Sequence, residues 1–418
     1  MTVFQILSIL MTVTAAFSYL NHRFLKLPVT IGVMLLALSA SGVLMVTRHF
    51  DPSVEHSVAR SLAGIEFDKA LMQGMLSFLL FAGALQINLG ELLERKRPIL
   101  VLATVGVVLS TAIAGTGLYY VLGFLGLRMS YAYCLLFGAL ISPTDPIAVL
   151  SILKIVKVPR PMELTIAGES LFNDGIGVVA FTILFEIALE GVQPTGGHVA
   201  MIFLKEAIGG GLFGFGLGLF AYFLLKSVDN YQVEVMVTLA LVTGGYALTS
   251  ALHMSGPIAI VVAGLLIGNH GRRLAMSDQT REHLDAFWEL LDEILNALLF
   301  VLIGLEVLLL KFTPAWFVAG VAAIALLLFA RWISVALPIH ILRRWDNFDR
   351  GAIAILTWSG LRGGISVALA LSIPAGHERD LILAITYIVV IFSIIAQGLT
   401  VKKLIKRYYP DGGQSSNQ

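Results

Sequence analysis

Long apolar runs follow one another so closely in this chain that a water-soluble globule is excluded at once. Runs able to cross a hydrocarbon layer of ~30 Å lie near 3–20, 27–46, 69–88, 98–122, 130–153, 162–189, 200–226, 233–252, 255–269, 287–310, 314–341, 350–373 and 381–402. Within lipid every backbone polar group must be satisfied by the protein itself, so runs of this length span as helices. The expectation is an all-α polytopic membrane protein with about 13 transmembrane helices. Charged residues make up only 13% of the chain, against about 25% in soluble domains.

Loop charges test this count independently. With thirteen spans and the N-terminus outside, 19 of the 28 lysines and arginines fall on the inside, among them Arg95, Lys96, Arg97, Lys402, Lys403 and Arg407. Only 7 fall outside, Arg48, Arg60, Lys69, Arg128, Lys205, Lys311 and Arg379. The positive-inside rule selects that orientation, with the C-terminus cytoplasmic. The first run has no basic n-region and reads as a retained helix rather than a signal peptide. Loops are short, so the chain is expected to be one integral membrane domain over 1–409 with a short tail, 410–418. A segment from Met276 to Trp288, capped by Ser277 or Asp278, reads as an amphipathic helix leading into the tenth span.

The net charge of +1 and the absence of basic runs interleaved with aromatics exclude nucleic acid as a partner. One cysteine, Cys134, excludes an internal disulfide framework and a cysteine metal cluster. Glycines crowd the seventh span, including Gly210, Gly214 and Gly218. That spacing allows close helix contact and implies packing rather than chemistry.

Chemistry is expected where charge lies in mid-membrane, because an ionisable group there costs at least ~2.5–3.5 kcal/mol. The fifth span contains Ser142-Pro143-Thr144-Asp145-Pro146. Each proline removes a donor and clashes with the preceding turn, so the helix should break near Thr144 and Asp145. The twelfth span has a matching defect, Thr357-Trp358-Ser359-Gly360-Leu361-Arg362-Gly363-Gly364. Two interrupted helices in corresponding positions point to a transporter built from inverted repeats, with its site at the midplane.

The sixth span adds Glu169, Ser170, Asn173 and Asp174, positions that share one side of a helix over a turn and a half. The carboxylates of Asp145 and Asp174, the Ser170 hydroxyl and the Thr144 carbonyl would form a hard oxygen cage suited to a small cation. The C-terminal end of a half-helix would add negative potential. Arg362 is a permanent cation. Glu169 is its natural partner, which leaves Asp145 and Asp174 for transport. Burial and a like-charged neighbour both favour the neutral carboxyl, so one carboxylate holds a proton or a metal cation but hardly both. With alternating access, that competition is antiport. The plainer alternative is a proton-sharing aspartate pair that locks helices together. Arg331 also lies within a span, without an evident role; Glu186, Glu190, Glu234, Glu293 and Glu306 fall near span ends and are expected to face interfacial water.

At these residues the chain resembles the monovalent cation:proton antiporter-1 family, the NhaP-type bacterial sodium/proton antiporters related to animal sodium/proton exchangers. The carrying motifs are Ser142-Pro143-Thr144-Asp145-Pro146, Gly168-Glu169-Ser170-Leu171-Phe172-Asn173-Asp174-Gly175 and Gly360-Leu361-Arg362-Gly363-Gly364, within a likeness over about 5–405. The resemblance implies a core domain (about 98–189 and 314–402) moving against a dimerisation scaffold (about 3–88 and 200–310), in a homodimer of the bacterial inner membrane serving pH homeostasis. It assigns proton and cation to Asp174, with Asp145, Ser170 and the Thr144 carbonyl as co-ligands. It further implies electroneutral exchange from Asn173 beside Asp174, and a Glu169–Arg362 brace. Some relatives place a glutamate on the third helix where this chain offers only Gln86, so a water-completed site is expected. Exchange of Na+, with Li+, for H+ is therefore expected, with no enzyme activity and no cofactor. The alternatives are potassium/proton exchange, a channel, or an intramembrane aspartyl protease, whose chemistry has no use for paired broken helices.

Overall fold

The computed structural model describes residues 3–47, 74–145, 147–156, 158–189, 191, 195–272, 276–310, 313–349 and 351–410. Outside the described residues lie the start of the third run (69–73), Pro146, Glu190, the tail beyond 410, and the loop charges Arg48, Arg60, Lys69, Lys157, Arg273, Lys311 and Arg350.

The described chain is all-helical. In order it forms α1 (Phe4–Leu25), α2 (Val29–Thr47), α3 (Leu76–Gln86), α4 (Lys96–Phe124), α5 (Tyr131–Ile141), α6 (Ile147–Val156), α7 (Arg160–Leu189) and α8 (Gly196–Lys226). It continues with α9 (Tyr231–Ala251), α10 (Gly256–Gly271), α11 (Asp278–Glu306), α12 (Pro314–Leu342), α13 (Ala352–Ser359), α14 (Gly364–Leu371) and α15 (His377–Tyr408). Among the described residues eight helices, α1, α2, α4, α7, α8, α9, α12 and α15, are long and apolar enough to cross a membrane. The chain is a multi-pass membrane protein.

Side-chain caps start the helices where the sequence offers them. Ser130, Ser255, Ser277 and Thr313 each accept a hydrogen bond from the backbone N–H three residues on, which satisfies a donor that the first turn leaves free. Ser277 opens α11, and the amphipathic stretch runs without interruption into the tenth apolar run.

Packing divides the helices into two groups. Helices α4, α5, α7, α12 and α15 contact one another, with the short half-helices α13 and α14 set among them; α1, α2, α3, α9 and α10 gather around α11 or one another. Helix α8 lies on α10, where a Cβ at Gly214 would come within 2.2 Å of the Ala259 carbonyl oxygen. The glycine stripe of the seventh run thus buys a backbone contact that no larger residue permits. Two carboxylates near span ends are not in interfacial water: Glu234 and Glu306 are buried, the former accepting from the Thr280 hydroxyl at 3.3 Å.

Candidate functional site

Two apolar runs break in the same place in space. Helix α5 ends at Ile141 and α6 begins at Ile147; α13 ends at Ser359 and α14 begins at Gly364. The two extended segments pair, with the Asp145 N–H donating to the Leu361 carbonyl at 2.8 Å. Helix α5 packs on α14, while α6 and α13 both lie on the C-terminal part of α15. Four half-helix ends therefore meet in the interior, two carrying orphan carbonyls and two carrying orphan N–H groups.

Each orphan-carbonyl end is answered by an arginine. Arg362 donates through one guanidinium nitrogen to the Ser142 and Pro143 carbonyls at 2.5 and 2.9 Å. Its own N–H donates to Ser393 Oγ. Arg331, from α12, donates to the Leu356 carbonyl at 3.1 and 3.3 Å near the end of α13. A cation at a helix C-terminus offsets the negative end of the dipole. The positive end of α14 faces acid instead. A Cβ at Gly363, which precedes α14, would lie 2.3 Å from Asp145 Oδ2, so the carboxylate rests against that helix start.

Two expectations are corrected here. Glu169 pairs with Arg331, not with Arg362: the contacts are 2.5 and 3.0 Å, bidentate, and both residues are buried. The reason is helix adjacency, since Arg331 reaches Glu169 from α12 while the Arg362 head turns to the end of α5. For the same reason the α5 carbonyls do not face a cation directly, because Arg362 occupies them.

Asn173 splints the first break. Its Oδ1 accepts from the Thr144 N–H at 3.3 Å, and its Nδ2 donates to Thr144 Oγ1 at 2.8 Å. Thr144 Oγ1 is in turn 2.9 Å from Ser170 Oγ. Asp174, one residue on, is 6% exposed, and its Oδ1 has no hydrogen-bond partner among the described residues. A buried carboxylate oxygen without a donor is costly unless something positive visits it.

A cavity of about 400 Å³ reaches Asp174. Thr144, Asp145, Asp174 and Gly363 line it beside Gln86 of α3, with Arg160 and Glu163 from the start of α7 and Glu289, Asp292 and Glu293 from α11. Eleven helical residues separate Glu163 from Asp174, about 16 Å of rise. Asp145, Asp174 and Thr144 thus share one cavity. Ser170 and Asn173 stand behind Thr144 and hold it. Sequence reasoning missed Arg331 as the brace and Asp292 as part of the wall. Mid-span charge pointed to Arg331; for Asp292 only its place on the face of α11 turned to α3 distinguishes it.

Known proteins resemble this chain over nearly its whole length. The family model described as sodium/hydrogen exchanger, transmembrane, matches residues 10–407. The Na+/H+ antiporter NhaP of Pseudomonas aeruginosa is 51% identical over 401 residues, 95% of each chain. The Na+/H+ antiporter NhaH of Halobacillus dabanensis is 37% identical over 390 residues, 92% of this chain and 93% of that one. Among solved structures, the sodium proton antiporter MjNhaP1 from Methanocaldococcus jannaschii superposes with a TM-score of 0.75 at 19% identity, covering 96% of this chain and 97% of that one. At that identity the likeness is one of fold.

Proposed function

The chain belongs to the sodium/hydrogen exchanger family, and from that premise we propose that it exchanges Na+ for H+ across a membrane by alternating access. The observation that carries the reading is Asp174, a buried carboxylate with an unpartnered oxygen, which lines a cavity rich in acidic residues. Its relatives NhaP and NhaH, which are named as Na+/H+ antiporters and covered almost end to end, support the choice of cation.

Asp174 alternates between proton and cation. Asp145 and the Thr144 carbonyl complete the cation's oxygen shell, with Ser170 supporting Thr144 and water supplying the remaining ligands opposite Gln86. Oxygen donors of this kind suit a hard monovalent ion, and Li+ is taken as well as Na+. No bond is made or broken in the protein, so the activity is transport and not catalysis. The helices of about 98–189 and 314–402 carry the site past those of about 3–88 and 200–310, a division that the packing groups support. The protein works as a homodimer in a bacterial inner membrane with its N-terminus outside and its C-terminus cytoplasmic, a placement supported by the loop charges.

Proton release on adding sodium or lithium to vesicles reconstituted with wild-type protein and with Asp174→Asn tests the reading. The variant is expected to lose exchange while remaining folded in the membrane. Normal exchange by Asp174→Asn would overturn it.

A further inference from the structure

A second cleft, remote from the site, lies where α12, α13 and α15 come together at the basic end of the bundle. Its volume is about 790 Å³. Arg343, Lys403 and Arg407 line it, and no acidic side chain does. None of the three cations is in an ion pair among the described residues. Three neighbouring positive charges without a counter-charge mark a place for an anion.

The polarity of the cleft varies with depth. Arg343 and Arg407 lie at the ends of α12 and α15, at the rim. Trp332 lies ten residues before Leu342 on α12, and Thr400 eight before Tyr408 on α15. At 1.5 Å per residue those two sit about 12–15 Å along their helices from the ends at the rim. Trp358 is at a similar depth on α13 and donates through its indole N–H to Thr400 Oγ1 at 2.9 Å. Ile353, Ala354 and Leu404 line the wall between. Trp332 is 51% exposed, and Ile341 and Leu399, on α12 and α15, are exposed as well.

The rim itself is fixed. Gly351 has φ +104, which L side chains rarely adopt, and a Cβ there would meet the Tyr408 ring at 2.4 Å. Tyr409 donates to Asp349 Oδ2 at 2.7 Å, tying the loop before α13 to the end of α15. The three cations are therefore presented around a formed concavity and not on a loose surface.

We propose that this cleft binds an anionic phospholipid of the inner leaflet, with its phosphate among Arg343, Lys403 and Arg407 and its acyl chains along Trp332, Ile353 and Leu404. A free anion would have no use for the apolar depth, and a zwitterionic lipid brings a positive group to a cleft that no acidic side chain lines. The occupant fills the space between α13 and its neighbours. Since α13 ends at the crossing beside Arg331, the lipid braces the half-helix that carries the second break.

The purified protein in neutral detergent tests this, by native mass spectrometry and thermal unfolding with added phosphatidylglycerol, phosphatidylcholine or inorganic phosphate. Phosphatidylglycerol is expected to remain bound and to raise the unfolding temperature, with the other two doing neither. In the variant Arg343→Gln/Lys403→Gln/Arg407→Gln, binding should weaken about 100-fold, each cation near the surface contributing about a factor of five. The variant Arg23→Gln/Lys96→Gln/Arg97→Gln, which removes equal charge from residues that do not line the cleft, should bind as wild type. Should the first variant misfold, Arg343→Lys/Lys403→Arg/Arg407→Lys keeps the charge and should keep the lipid. The proposal falls if phosphatidylcholine or phosphate stabilises as well as phosphatidylglycerol. It also falls if both neutralised variants bind alike, or if the charge-keeping variant loses the lipid.

Discussion

Glu169 and Arg331 show what a buried charge requires of its neighbours. A lone charge left in the interior by removing its partner costs about 3–5 kcal/mol. Arg331→Leu is therefore expected to lower the unfolding temperature sharply, as is Glu169→Leu. The double variant Glu169→Leu/Arg331→Leu should be more stable than either single one, because no uncompensated ion remains; equal or additive losses would show that the pair is not the brace. The sequence made it plain that these charges sit in mid-span and need compensation. It did not show which arginine answers which acid, because that depends on which helices touch. Glu169 and Arg362 are a sensible pair on paper, and the fold instead sends the Arg362 head to the Ser142 and Pro143 carbonyls. Asn173 is the clearer case for function at this scale. Asn173→Ala removes two hydrogen bonds from Thr144, worth about 1 kcal/mol each. Sodium-driven proton release should then show a raised KM for Na+ with Asp174 still in place.

The crossing of two interrupted helices was legible element by element. Pro143 rules out a regular turn, and Gly360, Gly363 and Gly364 loosen the partner. What the sequence could not show is the contact between them, since Asp145 to Leu361 is a bond across more than two hundred residues. Nor does apolar patterning reveal that α14 begins against the Asp145 carboxylate. That contact predicts a sensitive position at a residue that carries no charge or polar side chain of its own. Gly363→Ala places a methyl group where Asp145 Oδ2 now sits, so the carboxylate must turn away. The expected result is folded protein with a KM for Na+ raised about tenfold or more, as one ligand's contribution of at least ~1.4 kcal/mol is lost. An unchanged KM would mean that Asp145 is not a ligand.

For the whole molecule, one proton and one sodium ion competing for Asp174 predict a definite pH signature. As pH falls, the protonated fraction rises and the cation must displace a proton to bind. The KM for Na+ should therefore climb towards tenfold per pH unit on the acid side, while velocity at saturating Na+ holds until proton release itself limits. A KM independent of pH would refute competition. One-for-one exchange, which we propose from Asn173 beside Asp174, predicts a rate that does not change when the membrane potential is clamped at different values. The membrane-spanning character of the chain was visible in its apolar runs, but the cavity was not, because its acidic wall is assembled from α7 and α11, far apart in sequence. The arginine at the end of α5 has one further effect, on valence. At the crossing itself Glu169 and Arg331 cancel and Arg362 offsets one of the two aspartates, so that group carries a single negative charge, with Asp292 and the other wall carboxylates outside it. One sodium ion or one proton brings it to neutrality. A calcium ion of similar size would leave a surplus positive charge buried in low dielectric, where each unpaired ion costs several kcal/mol. Discrimination against divalent ions then follows from charge counting, without any difference in cage size.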